Sequence, residues 1–135
     1  MINTLYEIIF ERLDESVAIR LANSLTAVEI CLPDPQQGGV WETTIDSLVI
    51  NSDVSISNAH LRIVLYEVSF FDVELNFILA DVFARSKNII QSSLHNYVSN
   101  LADRYGINSY FGGMEPAIDL ETRIFTGPIL GPLKL

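Results

Sequence analysis

The chain has 135 residues, with 17 acidic and 8 basic side chains and a net charge of −9. A chain of this length can form one domain that buries its core without a disulfide or a structural metal. The negative charge argues against a nucleic-acid binder, because phosphate binding needs clustered Lys and Arg. The single cysteine excludes an intrachain disulfide framework and a multi-cysteine zinc site.

Neither a signal peptide nor a membrane span is predicted. The first residues lack a basic segment followed by an apolar one, and charges interrupt every long apolar stretch. We therefore expect a cytoplasmic protein with no membrane contact.

The N-terminal third predicts a strand and then a helix. Residues 4–11 are apolar and favour a strand over a helix. Asp14 and Glu15 open a predicted helix over residues 14–24, where acids suit the helix dipole and a cap. Its apolar side chains fall on one helical face: Val17, Ala18, Leu21, Ala22 and Leu25.

The next segments predict extended structure separated by loops. Residues 27–32 alternate and predict a strand in which Cys31 is a small buried hydrophobe. Residues 33–39 are rich in proline and glycine and predict a loop. Residues 41–50 predict an extended segment, and the polar residues 51–58 an exposed turn or an edge strand.

Residues 60–82 form the longest apolar block and predict two antiparallel strands joined by a tight turn. β-Branched and aromatic side chains dominate the block, and they suit a pleated surface. Leu61 and Ile63 fall on one face of the first strand, and Val73 and Leu75 on one face of the second. A helical stripe also fits part of this block, so the helical alternative stays open.

Residues 86–105 predict the longest helix, with a broad apolar stripe that should lie against the sheet. Ser86 is expected to cap its start and Gly106 to end it in a left-handed conformation. Residues 109–111 and 120–126 predict short extended segments in a C-terminal region that is mostly loop. The fold class is therefore α+β, a single domain over residues 1–135 with an antiparallel sheet, this helix and the shorter N-terminal helix packed on it.

No motif predicts catalysis, a metal or a cofactor. His60 and His95 lack a ligand-spaced partner, and the glycine pairs do not form a phosphate-binding loop. Carboxylate pairs such as Asp72 and Glu74 are interpreted as solvated faces rather than as a catalytic pair. Trp41 is either a core residue or, if exposed, an interface anchor.

The charge is distributed unevenly along the chain. Residues 1–81 carry 13 acids and 3 bases, whereas residues 82–135 carry 4 acids and 5 bases. An acidic surface is compatible with a basic protein partner, since complementary charge raises the association rate and biases partner choice. It is equally compatible with solubility alone.

Residues 110–133, YFGGMEPAIDLETRIFTGPILGPL, resemble the C-terminal region of immunity proteins from bacterial contact-dependent growth inhibition (CDI) systems. The resemblance implies a non-enzymatic protein that binds one cognate toxin domain as a monomer in a 1:1 complex. It further implies a toxin that is a nuclease, such as a ribonuclease, whose basic active site the immunity protein occludes. The C-terminal pattern would then be scaffold, and the acidic N-terminal part would carry specificity.

The candidate toxin-binding residues are acids expected in loops and on strand faces, with Trp41 as a possible anchor. They are Asp14, Glu15, Asp34, Trp41, Glu42, Asp46, Asp53, Asp72 and Glu74.

Two other functions remain open. A small-ligand-binding domain or an enzyme could use a pocket at Tyr110, Glu115 and Arg123. A structural subunit of a homo-oligomer would show a large apolar patch instead. Independently of these functions, an ion pair between Arg123 and a nearby acid (Glu115, Asp119 or Glu121) could hold the C-terminal loop.

Overall fold

The computed structural model describes residues 4–135, without the side chain of Gln37. These residues form an antiparallel sheet of eight strands and two α-helices. The sheet order is β2-β3-β4-β1-β6-β7-β8, and β5 pairs with β3. The strands are β1 (Leu5–Asp14), β2 (Val40–Val49), β3 (Val54–Glu67), β4 (Phe70–Ile78), β5 (Val82–Ala84), β6 (Tyr110–Met114), β7 (Arg123–Thr126) and β8 (Ile129–Leu130), and the helices are α1 (Glu15–Leu25) and α2 (Ile90–Tyr105). The predicted α+β class is confirmed.

The long apolar block forms the central hairpin of β3 and β4, as predicted. Leu61 pairs with Leu75 and Ile63 with Val73, and all four side chains are buried. Alternation decides this outcome, because every second residue of each strand points to the same side of the sheet. The helical alternative for this block is wrong.

The first strand lies in the middle of the sheet, between the central hairpin and the C-terminal strands. β1 pairs with β4 on one side and with β6 on the other. Phe10 of β1 is fully buried, and its ring stacks on that of Tyr110 from β6 with a centroid distance of 6.3 Å. The predicted strand over residues 4–11 is confirmed and extends to Asp14.

Helix α1 begins where the sequence predicts. Asp14 is its N-cap, and the carboxylate accepts a hydrogen bond of 2.9 Å from the backbone N–H of Val17. This bond satisfies one of the free N–H groups at the helix start. The apolar stripe is buried against the sheet: Ala18, Leu21, Ala22 and Leu25.

Helix α2 starts four residues later than predicted, at Ile90, after a 3-10 turn over Lys87–Ile89. Ser86 is not a cap of this helix, because its hydroxyl donates to the side chain of Asn88 instead. The predicted end is confirmed, since Gly106 is left-handed with a φ of 68°. The helix lies against the sheet as expected, with the hydroxyls of Ser99 and Tyr110 3.1 Å apart.

Three local predictions are wrong. Residues 27–32 form an irregular connection rather than a strand, and Cys31 is exposed. The segment alternates because it is extended and packs Ile30 and Leu32 against the core. It does not form a strand because no neighbouring strand pairs with it. Residues 54–58 belong to β3, an internal strand, so only residues 51–53 form the exposed turn.

The predicted strand over residues 120–126 is only half correct. Leu120–Thr122 forms a 3-10 turn and Arg123–Thr126 the strand. Within residues 4–135, neither helix has the length and apolar character needed to cross a membrane.

Candidate functional site

The two sides of the sheet differ in what covers them. Both helices pack on one side, which we call the covered face, and its residues form one hydrophobic core. The opposite side, which we call the outer face, carries polar and charged side chains over its central strands. Its central residues are Glu42 and Thr44 of β2, His60 and Arg62 of β3, Asp72, Glu74 and Asn76 of β4, and Glu7 and Glu11 of β1.

A row of charged residues crosses three strands of the outer face. The strand register places Glu42 beside Arg62 and Arg62 beside Glu74. The guanidinium of Arg62 lies between both carboxylates, with N–O distances of 3.3 Å to Glu42 and 3.2 Å to Glu74. His60 also approaches Glu42, at 3.2 Å. Arg62 therefore fixes the positions of two carboxylates on this face.

Glu74 of the row and Asp72, two positions earlier on the same face of β4, both have a raised pKa. Partial burial raises the pKa of Asp72, and the charge of Glu11 raises it further, while the Arg12 backbone N–H, 2.8 Å away, opposes the shift. Partial burial likewise raises the pKa of Glu74, whose side chain is only 15% exposed, against the opposing charge of Arg62. Both shifts mark a surface where negative charge is held at a cost.

Three further acids belong to this face although they are not among the predicted toxin-binding residues. The charges of Glu7 and Glu115 contribute to the raised pKa of Glu74, as that of Glu11 does for Asp72. Glu7 accepts a hydrogen bond from the backbone N–H of Ala117, and Glu11 accepts one from the Ser109 hydroxyl. Alternation along β1 places Glu7 and Glu11 on the side of the strand that faces away from its buried residues. This alternation is the sequence signal that could have assigned them to the outer face. Their proximity to β4 depends on a strand pairing that no local pattern specifies.

The predicted toxin-binding residues divide between the outer face and other regions. The structure brings Glu42, Asp72 and Glu74 together on the outer face. Trp41, the neighbour of Glu42, is half-buried and packs against the core on the covered side. The core interpretation of Trp41 is therefore the better one. Its role as an anchor stays a prediction.

The remaining predicted acids lie outside the central row. Asp14 and Glu15 are at the start of α1, and the exposed Asp34 lies in the loop before β2. Asp46 is exposed on β2. Asp53, in the turn between β2 and β3, forms an ion pair with Arg85 at 3.2 Å. Their contact with a toxin stays a prediction.

The C-terminal motif forms a closely packed cover on one end of the outer face. Arg123 Nε donates to the carbonyl of Ala117 at 2.8 Å, and its guanidinium lies 4.0 Å from the ring centroid of Phe111. A Cβ on Gly113 would collide with the Thr122 carbonyl oxygen and lie 2.7 Å from Arg123 Cα. Arg123 therefore holds the loop as predicted, but through carbonyl groups. The expected ion pair with an acid does not occur among the ion pairs of residues 4–135.

The predicted ligand pocket at Tyr110, Glu115 and Arg123 forms only in part, because Tyr110 and Arg123 line an open cleft of about 270 Å³ with Glu11, whereas Glu115 lines a different cleft. Tyr110 is buried on the covered face against Phe125, whereas Arg123 packs on Phe111 on the opposite side. The outer face does contain an open polar cleft of about 390 Å³, lined by residues that include Glu7, His60, Arg62, Asn76, Asp81 and Glu115. In the described part of the chain, no group of three or more His, Cys, Asp or Glu side chains could hold a metal ion.

Comparison with known proteins identifies the family. No curated protein sequence matches the chain. A structure search finds a chain of the 1.75 Å crystal structure of the toxic C-terminal tip of CdiA from Pseudomonas aeruginosa in complex with immune protein. The two chains share 21% identity with a TM-score of 0.72, covering 97% of this chain and 99% of the other. At this identity the likeness supports the fold.

The family assignment comes from the sequence. The model of the PABL017 Cdi1I immunity protein family matches residues 36–128, from the loop before β2 to the residue before β8. The match includes most of the C-terminal motif and the central hairpin. Because it spans more than half of the chain, the protein belongs to the PABL017 Cdi1I immunity protein family.

Proposed function

We propose that this protein neutralises one cognate CDI toxin domain by binding it with the outer face. The observation that carries the proposal is the pair of carboxylates Glu42 and Glu74 held by Arg62, with Asp72 beside Glu74 on the same face of β4 and Glu7 and Glu11 on the neighbouring β1. Strained, partly buried carboxylates on an otherwise uncovered sheet surface are more stable beside a cationic partner. The chain acts by occlusion in a 1:1 complex in the cytoplasm and performs no catalysis.

The acidic character of the face favours a nuclease as the toxin. A nuclease, including a ribonuclease, needs a basic active site to hold the phosphates of its substrate. Carboxylates of the outer face would occupy the positions that phosphates take in that site. The bound immunity protein would thus exclude nucleic acid both sterically and electrostatically.

Co-expression with the candidate toxin domain encoded immediately upstream tests the immunity function. We expect the two chains to co-purify in equal amounts and this chain to restore growth. If the neighbouring domain is toxic but neither binds nor is neutralised, the immunity proposal is wrong for that pair.

Paired charge variants test the role of the outer face. The double variant Asp72→Asn/Glu74→Gln should lower the association rate about tenfold at low ionic strength, and the loss should shrink as salt screens the charges. The control Glu29→Gln/Asp103→Asn removes the same charge from two exposed positions elsewhere. Equal losses from both variants would show that net charge, rather than this face, controls binding.

Cleavage assays test the nuclease assignment separately. The isolated toxin domain is incubated with RNA and with DNA, with and without an equimolar amount of this chain. We expect cleavage of one substrate and its loss on addition of the immunity protein. Tight binding without cleavage of either nucleic acid would contradict the nuclease proposal and leave the immunity function intact.

A further inference from the structure

The two ends of the sheet differ in length and protection. β2, with ten residues, is the last strand at one end and pairs only with β3. The other end is β8, which has two residues. Edge strands are usually protected by proline, lysine or a short length, because their unpaired backbone groups can bind another strand. β2 has none of these protections between Val40 and Val49.

Hydrogen bonding shows which backbone groups of β2 face away from the sheet. The N–H of Leu65 donates to the carbonyl of Gly39 at 2.7 Å, and this pair continues the register of β2 with β3. Bonded and non-bonded pairs alternate along an antiparallel ladder. Trp41 and Thr43 therefore bond to β3. The backbone N–H and C=O groups of Val40, Glu42 and Thr44 therefore point away from β3, to the open edge.

Among residues 4–135, no other segment forms backbone hydrogen bonds to the open edge at residues 40, 42 and 44. None of the backbone hydrogen bonds outside the regular ladders of residues 4–135 involves Val40, Glu42 or Thr44. These same three residues present their side chains on the outer face, because Trp41 and Ile45 point to the core. The open edge is thus continuous with the acidic row through Glu42.

We propose that an extended segment of the basic toxin domain adds to β2 as a further antiparallel or parallel strand, bonding to residues 40–44. This inference rests on the proposed function and specifies how the partner docks. Main-chain bonds would supply affinity, and a cationic side chain of the added strand beside Glu42 would supply specificity. A second copy of this chain fits poorly, because it would bring another net charge of −9 beside the same acidic surface.

Amide hydrogen exchange measured by NMR tests the docking without any substitution. In the free chain, the amides of Val40, Glu42 and Thr44 should exchange faster than those of Trp41 and Thr43. In the complex with the upstream toxin domain, the three fast amides should become protected by at least about tenfold. Unchanged exchange in a complex that forms would overturn the edge proposal but leave the immunity function standing. Protection that depends on the concentration of the free chain would instead indicate self-pairing and overturn the assigned partner.

A proline variant provides an independent test. Thr44→Pro removes an N–H that points to the open edge and should weaken toxin binding by about tenfold or more. Thr44→Val keeps that N–H, and we expect a loss of less than about threefold from the hydroxyl alone. The proline effect should persist at high salt, unlike that of Asp72→Asn/Glu74→Gln. Equal affinities of the two folded Thr44 variants would contradict the proposal.

Discussion

The covered and outer faces are built from the same strands, yet they are under different physical constraints. On β4, Val73 and Leu75 point into the core and are essentially inaccessible to solvent. Their neighbours Asp72 and Glu74 point to the outer face, where partial burial raises the pKa of both carboxyls. The covered face gains stability from apolar burial. The outer face carries carboxylates whose charged form is disfavoured by partial burial.

This contrast supports the proposal that the outer face is kept for binding. A polar replacement of Asp72 or Glu74 would relieve the electrostatic cost within the free protein, so folding alone does not explain these residues. Unfavourable charge that persists on a surface is typical of a functional site. Substitutions on the two faces should therefore separate stability from toxin binding.

The largest expected effect comes from adjacent residues on β4. Leu75→Ala deletes a buried side chain and should lower the free energy of unfolding by about 2–5 kcal/mol. Glu74→Gln, one position earlier, should change it much less, because the amide oxygen can still accept the hydrogen bond from Arg62. Denaturant unfolding measures the two free energies, and binding kinetics of the folded variants measure the association rate. We expect the rate to fall for Glu74→Gln only.

The opposite pattern would remove the functional distinction between the faces. If folded Leu75→Ala lost toxin binding as strongly as Glu74→Gln, the toxin would depend on the shape of the whole sheet. The outer face would then be only one part of a larger interface.

A second prediction concerns the motif that covers one end of the outer face. Gly113→Ala would place a methyl group against the backbone of Thr122 and Arg123, so the loop must shift. Such overpacking should destabilise the protein by about 1–3 kcal/mol. The control is Gly38→Ala, where the added carbon meets no atom within 4 Å, although its positive φ still carries some strain. Thermal unfolding of both variants measures the difference, and a loss for Gly113→Ala no larger than the strain in Gly38→Ala would show that the loop yields to the methyl group at little cost.

Alternation and helix signals were sufficient to predict the main elements. The pattern of Leu61, Ile63, Val73 and Leu75 predicts the central hairpin, and Asp14 predicts the start of α1. These features succeed because they are local: a side chain two residues away decides a strand face, and a side chain three residues away decides a cap. Alternation also predicts a strand over residues 27–32, where none forms. The segment is extended, but it has no neighbouring strand to pair with.

The site was only partly predictable because it depends on which strands meet. Glu42 and Glu74 are far apart in sequence, and Arg62 brings them together through pairing in two ladders. Glu7 joins them only because β1 inserts between β4 and β6. The resemblance at the C-terminus pointed to the family through residues such as Arg123, which in the structure donates hydrogen bonds to loop carbonyls. The acidic composition was compatible with a basic partner or with solubility alone, and it carries no information on the face where the charges gather.

The smallest predicted effect is a gain of stability that depends on pH. The raised pKa of Asp72 means that the folded chain binds this proton more tightly than the unfolded chain does. The free energy of unfolding therefore falls as pH rises from the unfolded pKa of about 3.9 through the folded value, and the penalty remains at neutral pH. Asp72→Asn removes this penalty, while its amide oxygen can still accept the hydrogen bond from the Arg12 N–H.

We therefore expect Asp72→Asn to raise the melting temperature at pH 7 and to leave it unchanged at pH values well below the unfolded pKa of about 3.9. Thermal unfolding across this pH range measures the difference, with Asp103→Asn on the exposed side of α2 as the matched control. A variant that is more stable yet binds toxin more slowly would show that the outer face trades stability for binding. A loss of stability at pH 7 would mean that the attraction between Asp72 and Arg12 outweighs the cost of burial, and the strain assigned to this face would then be absent.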